Sequence, residues 1–129
     1  MASILRVNTL TDASSNNSTP MATVNQGTAK AWAHHTSVSS TSLEDSFNCS
    51  SIADNGTGNS TVTMSSAMGN DDYSCSASSG IPVNSGYCDV TNSSTNTFSL
   101  RSFNIVTSTA TITIADVADN SCTVHGDLA

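Results

Sequence analysis

Histidines are the side chains of this sequence best suited to acid–base or metal chemistry, and two of the three, His34 and His35, are adjacent. Adjacent residues of a β-strand point to opposite faces of the sheet, so this pair cannot bind one metal ion together. Serine is abundant, with 25 residues, but no GxSxG motif accompanies any histidine. We therefore expect no enzymatic activity, no catalytic residues and no cofactor.

The four cysteines admit three interpretations: buried free thiols, disulfides or a metal site. No CxxC pair occurs, which disfavours zinc. Cys49, Cys75 and Cys122 each lie two positions from an apolar or small residue, which is the period of one strand face. We expect these three to be inward-facing free thiols, with one or two disulfides as the alternative. Cys88 follows a loop, and its neighbours define its environment less well.

Two aspartate pairs, Asp71–Asp72 and Asp116/Asp119, could contribute calcium ligands from loops. The stretch over residues 54–65 lacks the acidic spacing and the twelfth-position Glu of an EF-hand loop. We therefore expect no metal site.

Polar uncharged residues dominate the composition, with 25 Ser, 18 Thr and 13 Asn among 129 residues. Ten acidic and three basic residues give a formal net charge of −7. Three bases cannot neutralise a series of phosphates, so we expect neither nucleic-acid binding nor docking on an anionic membrane. No apolar run exceeds three residues, so we also expect no membrane insertion and no secretory signal peptide.

Short period-2 runs separated by Asn, Asp, Gly and Ser predict strands over most of residues 28–129. The clearest unit is a hairpin over residues 47–66, with its turn at ADNGTGNS. Other expectations are a bend near Glu44 and Asp45 and a loop over SSGIPVNSGY. The expected apolar side of the hairpin consists of Phe47, Cys49, Val62 and Met64.

These patterns together predict an all-β fold, an antiparallel β-sandwich or jelly-roll-like domain of six to eight strands over residues 28–129. Residues 1–27 differ, because the possible strand ILRVNTL is followed by DASSNNSTP, a turn or extended linker. Among the few aromatic residues, Trp32 and Tyr87 are the candidates for a surface contact, such as stacking on a sugar.

The N-terminal stretch ILRVNTLTDASSNNS resembles the opening of tail-fibre and related virion appendage proteins of marine bacteriophages. Those proteins begin with a Leu-x-Val-x-Thr-Ile-x-Asp-x-Ser-Gly-Asn-like stretch. NQGTAKAW and DSFNCSSIADNGTGNSTV resemble the start of the β-domain that follows it. This chain departs from the pattern at Ser15, where Gly is usual, and at Cys49, where Val is usual. The matching N-terminal positions are Leu5, Val7, Thr9, Leu10, Asp12, Ser14 and Asn16.

The resemblance implies a homotrimeric β-sandwich on the exterior of a phage particle. Because we expect no signal peptide, we expect it to be made in the host cytoplasm. Its partners would be copies of itself, other virion proteins and a glycan or protein of the host surface. A capsid decoration protein and a free carbohydrate-binding adhesin module are the alternatives. The resemblance carries over no catalytic residues. The attachment arm that it implies is extended and contains Leu5, Val7, Thr9, Leu10 and Asp12.

Overall fold

Strands account for 56% of the residues that the structure describes and helix for 6%, which confirms the all-β expectation. This computed structural model describes residues 4–80, 85–106 and 108–129. In chain order the elements are β1 (Thr9–Thr11), β2 (Ser18–Pro20), α1 (Met21–Gly27), β3 (Ala31–Thr36), β4 (Ser42–Phe47), β5 (Cys49–Asp54), β6 (Asn59–Met64), β7 (Ser74–Gly80), β8 (Ser85–Ser94), β9 (Thr97–Val106), β10 (Thr111–Ile114) and β11 (Asp119–His125).

Two antiparallel sheets form the body of the protein. One sheet has the strand order β4–β3–β11–β7. In the other sheet, the long strand β9 pairs with β8 along one of its edges. Along its other edge, β9 pairs first with β6 and then with β10. β5 completes that sheet beyond β6. The described part of the chain thus places nine strands in the two sheets, rather than the six to eight expected.

A single buried cluster joins the inner faces of the two sheets, because each strand directs alternate residues inward. Phe98 and Leu100 of β9 and Val62 of β6 pack with Val124 of β11, and each is at most 1% exposed. The full cluster is Ala31, Ala33, Val62, Met64, Met68, Tyr73, Cys88, Phe98, Leu100, Cys122 and Val124.

The hairpin expected over residues 47–66 is confirmed by the pairing of β5 with β6. Its turn uses the residues that the sequence indicated. The amide of Gly56 donates to Asp54 Oδ1 at 2.8 Å, and Gly56 and Gly58 have φ values of 104° and 63°. An added Cβ at Gly58 would also lie 2.7 Å from the carbonyl oxygen of Ser102, so only glycine fits there.

The expectation that Phe47 lies on the apolar side of this hairpin is wrong, because the chain changes sheets at Asn48. Phe47 ends β4 in the other sheet and is 53% exposed. Asn48 has a φ of 55°, and its Nδ2 donates to the carbonyl oxygens of Lys30 and Ser66 at 3.0 and 3.1 Å. Asparagine tolerates this left-handed conformation better than most residues do, so it suits the corner.

Two other local expectations also change. The irregularity near Glu44 is a β-bulge within β4, and the break between strands comes at Asn48 instead. The expected loop over residues 78–87 is shorter, since β7 extends to Gly80 and β8 begins at Ser85. Its Pro82 lies outside the described residues.

All four cysteines are free thiols, as the alternation of the strands indicated for Cys49, Cys75 and Cys122. Cys88 and Cys122 are buried, and the half-buried Cys49 and Cys75 pack against the same core. Burial raises the pKa of Cys49, Cys75 and Cys88 to about 11 and that of Cys122 to about 12. The thiols therefore act as small apolar groups at neutral pH.

The N-terminal segment, residues 4–27, forms a short hairpin, β1–β2, followed by α1. The strand expected from ILRVNTL is reduced to Thr9–Thr11, and the Ser/Asn stretch forms the hairpin's turn. Asp12 stabilises that turn, since its carboxylate accepts hydrogen bonds from the Asn16 amide at 3.0 Å and Asn17 Nδ2 at 2.8 Å. The Asn17 hydrogen bond lowers the pKa of Asp12.

Candidate functional site

The outward surface of the β4–β3–β11–β7 sheet, called the polar face below, carries the described side chains best suited to binding. Strand register aligns them in rows that cross the sheet. One row ends in two aromatic rings, and the next contains a histidine and one carboxylate. The first row is Phe47, Trp32, Thr123 and Ser76, and the second is Asp45, His34, Ser121 and Ser78.

Trp32 and Phe47 are direct cross-strand partners on β3 and β4. Phe47 is 53% exposed, whereas Trp32 is partly covered. Residues paired in this way have Cβ atoms about 4.5–5.5 Å apart, so the two side chains are neighbours on the surface. A pair of aromatic side chains beside rows of hydroxyl groups can stack on a sugar ring and bond to its hydroxyls.

His34 lies between two carboxylates on the same face. Its Nδ1 is 3.0 Å from Glu44 Oε2, and its Nε2 is 3.8 Å from Asp119 Oδ1. Glu44 is the extra residue of the β-bulge, since His34 pairs with Asp45 and His35 pairs with Leu43. A bulge redirects the side chain of its extra residue, and here the Glu44 carboxylate approaches the ring of His34.

His35 points the other way, as the alternation of a strand requires, and is 0% exposed. Its Nε2 lies 3.5 Å from Ser60 Oγ, and burial lowers its pKa to about 4. His35 is therefore neutral at pH 7 and belongs to the interior. The side chains of the two histidines lie on opposite faces of β3, so the expectation that they cannot bind one metal ion together is confirmed.

A shallow groove of about 190 Å³ runs between β7 and β11 on the polar face. Side chains of Ser76, Ser78, Ser121 and Thr123 border it. Ligand pockets usually measure about 300–1,000 Å³ and enclose most of their ligand. This groove suits contact with an extended polar surface better than capture of a small molecule.

Of the residues that the sequence singled out, Trp32 lies on the polar face, and the side chain of Tyr87 lies outside the described residues. The arm residues lie in the N-terminal segment and are not part of this face. Sequence inspection missed Glu44 and Asp119 as neighbours of His34, because only strand register brings these three strands together. Asp116, which had been paired with Asp119, instead accepts a hydrogen bond from the Gly58 amide at 2.7 Å.

Comparison with known proteins finds no family model, no curated protein and no solved structure that matches this chain. Within the described residues, no helix has both the length and the apolar character needed to cross a membrane.

Proposed function

We propose that the protein is a non-enzymatic structural protein of a bacteriophage particle, a tail fibre or other trimeric appendage attached through its N-terminal segment. The observation that carries this proposal is the exposure of large aliphatic side chains in that segment. They occupy the positions that resemble the opening of the virion appendage proteins. A partner that covers them would gain the free energy of burying their apolar surface.

The N-terminal segment contributes nothing to the buried core. None of its residues from 4 to 27 is buried, and Leu5 is 83% exposed. Ile4, Val7 and Leu10 are 75%, 40% and 48% exposed. Soluble proteins rarely leave contiguous apolar groups uncovered unless the groups take part in binding. The exposure supports a role for the segment in attachment.

A second apolar surface supports self-association. Ile112 and Ile114 of β10 are 64% and 41% exposed, and they pair directly with Ile105 and Phe103 of β9. The sequence of β10, TITI, has no charged residue and no proline. Such residues normally protect an exposed strand from pairing with another chain. Contact with further copies would cover both this edge and its apolar side chains.

Removal of residues 1–20 tests the attachment role. We expect the shortened protein to keep its melting temperature within about 2 °C, because the core is intact. Light scattering should give a mass of three chains, of 13.2 kDa each in the full-length protein. Co-purification of the shortened protein with phage particles should be lost.

A matched pair of variants controls for the deletion itself. Leu5→Ser with Leu10→Ser should abolish co-purification with particles. Val38→Ser replaces a residue outside the segment that is about as exposed as Leu10, at 46% against 48%, and should have no effect. If the shortened protein still joins the particle, attachment runs through the sandwich, and the capsid decoration alternative is favoured. A monomeric mass would contradict the trimer.

The aromatic pair of the polar face favours a second role, contact with a glycan of the host surface. Trp32 is the single tryptophan of the chain, so its fluorescence reports directly on this face. Titration with purified host-surface polysaccharide should shift Trp32 emission in the wild type. Phe47→Ala should weaken binding about tenfold, and Phe103→Ala, on the other sheet, should leave it unchanged. No shift in emission would remove this role.

A further inference from the structure

Three metal-binding side chains converge on the polar face from three adjacent strands. His34 comes from the middle of β3, Glu44 from β4 and Asp119 from the first position of β11. One donor atom from each residue can be chosen so that all three lie within 4.8 Å of one another. Three donors around a first-row metal ion lie about 3–3.5 Å apart when each bond is about 2.0–2.2 Å long. Binding one ion therefore requires the most distant donor atoms to approach one another by about 1.5 Å.

The backbone positions this set without a flexible loop. Ser121 of β11 is the direct partner of His34, which makes Asp119 its diagonal neighbour on the same face. Diagonal neighbours remain within reach of long side chains. On the other side, the bulge in β4 brings Glu44 to His34. All three residues therefore lie within strands of one sheet, with Glu44 as the extra residue of the bulge.

The charges of the set favour a cation. When the imidazole is neutral, two carboxylates bring two negative charges to one ring. Among the described residues, His34 is the one basic side chain within 4.0 Å of either carboxylate. The whole chain carries a formal charge of −7. A bound divalent ion would neutralise the two carboxylates and replace their repulsion by attraction.

We propose that His34, Glu44 and Asp119 bind one divalent first-row transition metal ion, with Zn²⁺ as the best match. An imidazole nitrogen and carboxylate oxygens suit Zn²⁺ and its neighbours, whereas Ca²⁺ and Mg²⁺ take oxygen ligands. Three protein donors leave a fourth tetrahedral position open to water. The side chains of His34, Glu44 and Asp119 are 38%, 46% and 60% exposed, so that position faces the solvent and any surface the protein contacts.

Titration of the full-length protein, without a histidine tag, tests the site. Calorimetry with Zn²⁺ should give one ion per chain. Co²⁺ should produce visible absorption bands of a tetrahedral complex, which Zn²⁺ then removes by competition. Glu44→Gln and Asp119→Asn keep the side-chain size but remove one charged donor each. Loss of supporting groups around metal ligands already costs about 10–100-fold in affinity, so each variant should lose at least tenfold.

Two matched controls locate the ion. Asp45→Asn removes the neighbouring carboxylate of β4, and His125→Gln removes the histidine at the far end of β11. Both should bind Zn²⁺ like the wild type. The proposal is overturned if the wild type binds no Zn²⁺ at millimolar concentration or if Glu44→Gln and Asp119→Asn bind it unchanged. A loss of affinity in the His125→Gln variant would also overturn it. Circular dichroism should show the same fold for every variant in EDTA.

Discussion

The interior of the sandwich has two ends of opposite character. At the apolar end, Phe98, Val62 and Val124 fill the space between the sheets with hydrocarbon. At the polar end, the same three strands continue with Ser102, Ser60 and Asn120, all buried. Each of the strands β6, β9 and β11 thus has apolar inward-facing residues towards one end and hydrogen-bonding inward-facing residues towards the other.

Asn120 organises the polar end, as its amide contacts three neighbours. Its Oδ1 accepts hydrogen bonds from Ser79 Oγ at 2.9 Å and Ser102 Oγ at 3.0 Å, and its Nδ2 donates to the Val117 carbonyl oxygen at 3.0 Å. Ser102 belongs to the opposite sheet, so one bond joins the two layers. Hydrophobic contact is non-directional, whereas such bonds require one alignment of the sheets. We therefore expect the apolar end to supply most of the stability and the polar end to select the alignment.

Truncation at the apolar end should have the largest effect. Phe98→Ala removes a fully buried ring and leaves a cavity between the sheets. We expect the free energy of unfolding to fall by about 3–5 kcal/mol. Urea denaturation followed by circular dichroism measures it. Phe47→Ala is the matched control on the polar face and should cost under about 1 kcal/mol. Equal losses in the two variants would contradict the assignment of the core.

Loss of the Asn120 amide should break the polar end at a smaller cost. Asn120→Ala leaves the hydroxyls of Ser79 and Ser102 without their acceptor, and a buried group left unpaired costs about 1–3 kcal/mol. We expect a total loss of about 2–3 kcal/mol in the urea experiment. Ser121→Ala, the next residue on β11, points outward and should change stability by less than about 0.5 kcal/mol. A loss below 1 kcal/mol in Asn120→Ala would mean that water replaces the network.

Much of the apolar end could be predicted from the sequence, and the polar end could not. Alternation in SCTV and TFSL identifies Val124, Phe98 and Leu100 as inward residues, because apolar side chains at period 2 have one favourable side. The same alternation places Asn120 and Ser102 on that inner side. Yet a polar residue at an inward position carries no sign of its partner, and Asn120 and Ser102 meet only when the sheets are stacked.

The candidate site shows the same limit. The period of a strand over β3 is consistent with Trp32 and His34 sharing a face, but Trp32 was singled out only as one of the few aromatic residues. Glu44 reaches His34 through a bulge, and Asp119 reaches it through the pairing of β11 with β3. Both contacts depend on non-local register, which a single sequence does not reveal. The exposure of Phe47 escaped prediction for a similar reason, since the chain changes sheets at the next residue.

Acid should weaken the polar end through His35. Its pKa is about 4 in the folded protein and about 6.5 in the unfolded chain, because burial disfavours the charged form. The unfolded chain therefore binds the proton more tightly, so stability is fully present above pH 6.5 and is lost as the pH falls towards 4. From pH 7 to pH 5 the loss should be about 2 kcal/mol. Urea denaturation in EDTA at both pH values measures it. The variant His35→Gln should show a smaller change in the free energy of unfolding between the two pH values. An unchanged pH dependence in this variant would mean that other titratable groups cause the loss.

The smallest effects should reveal how the polar end is shared between its members. Ser79 and Ser102 donate to the same oxygen of Asn120, so either serine alone keeps that acceptor paired. Each single change, Ser79→Ala or Ser102→Ala, should therefore cost only the net value of one hydrogen bond, about 0.5–1.5 kcal/mol. The double variant leaves the oxygen buried without a donor and should exceed the sum of the single losses by about 1 kcal/mol. Urea denaturation of the wild type, the two single variants and the double variant completes this double-mutant cycle. Agreement with the sum to within about 0.5 kcal/mol would mean that the two serines act independently and that Asn120 does not couple them.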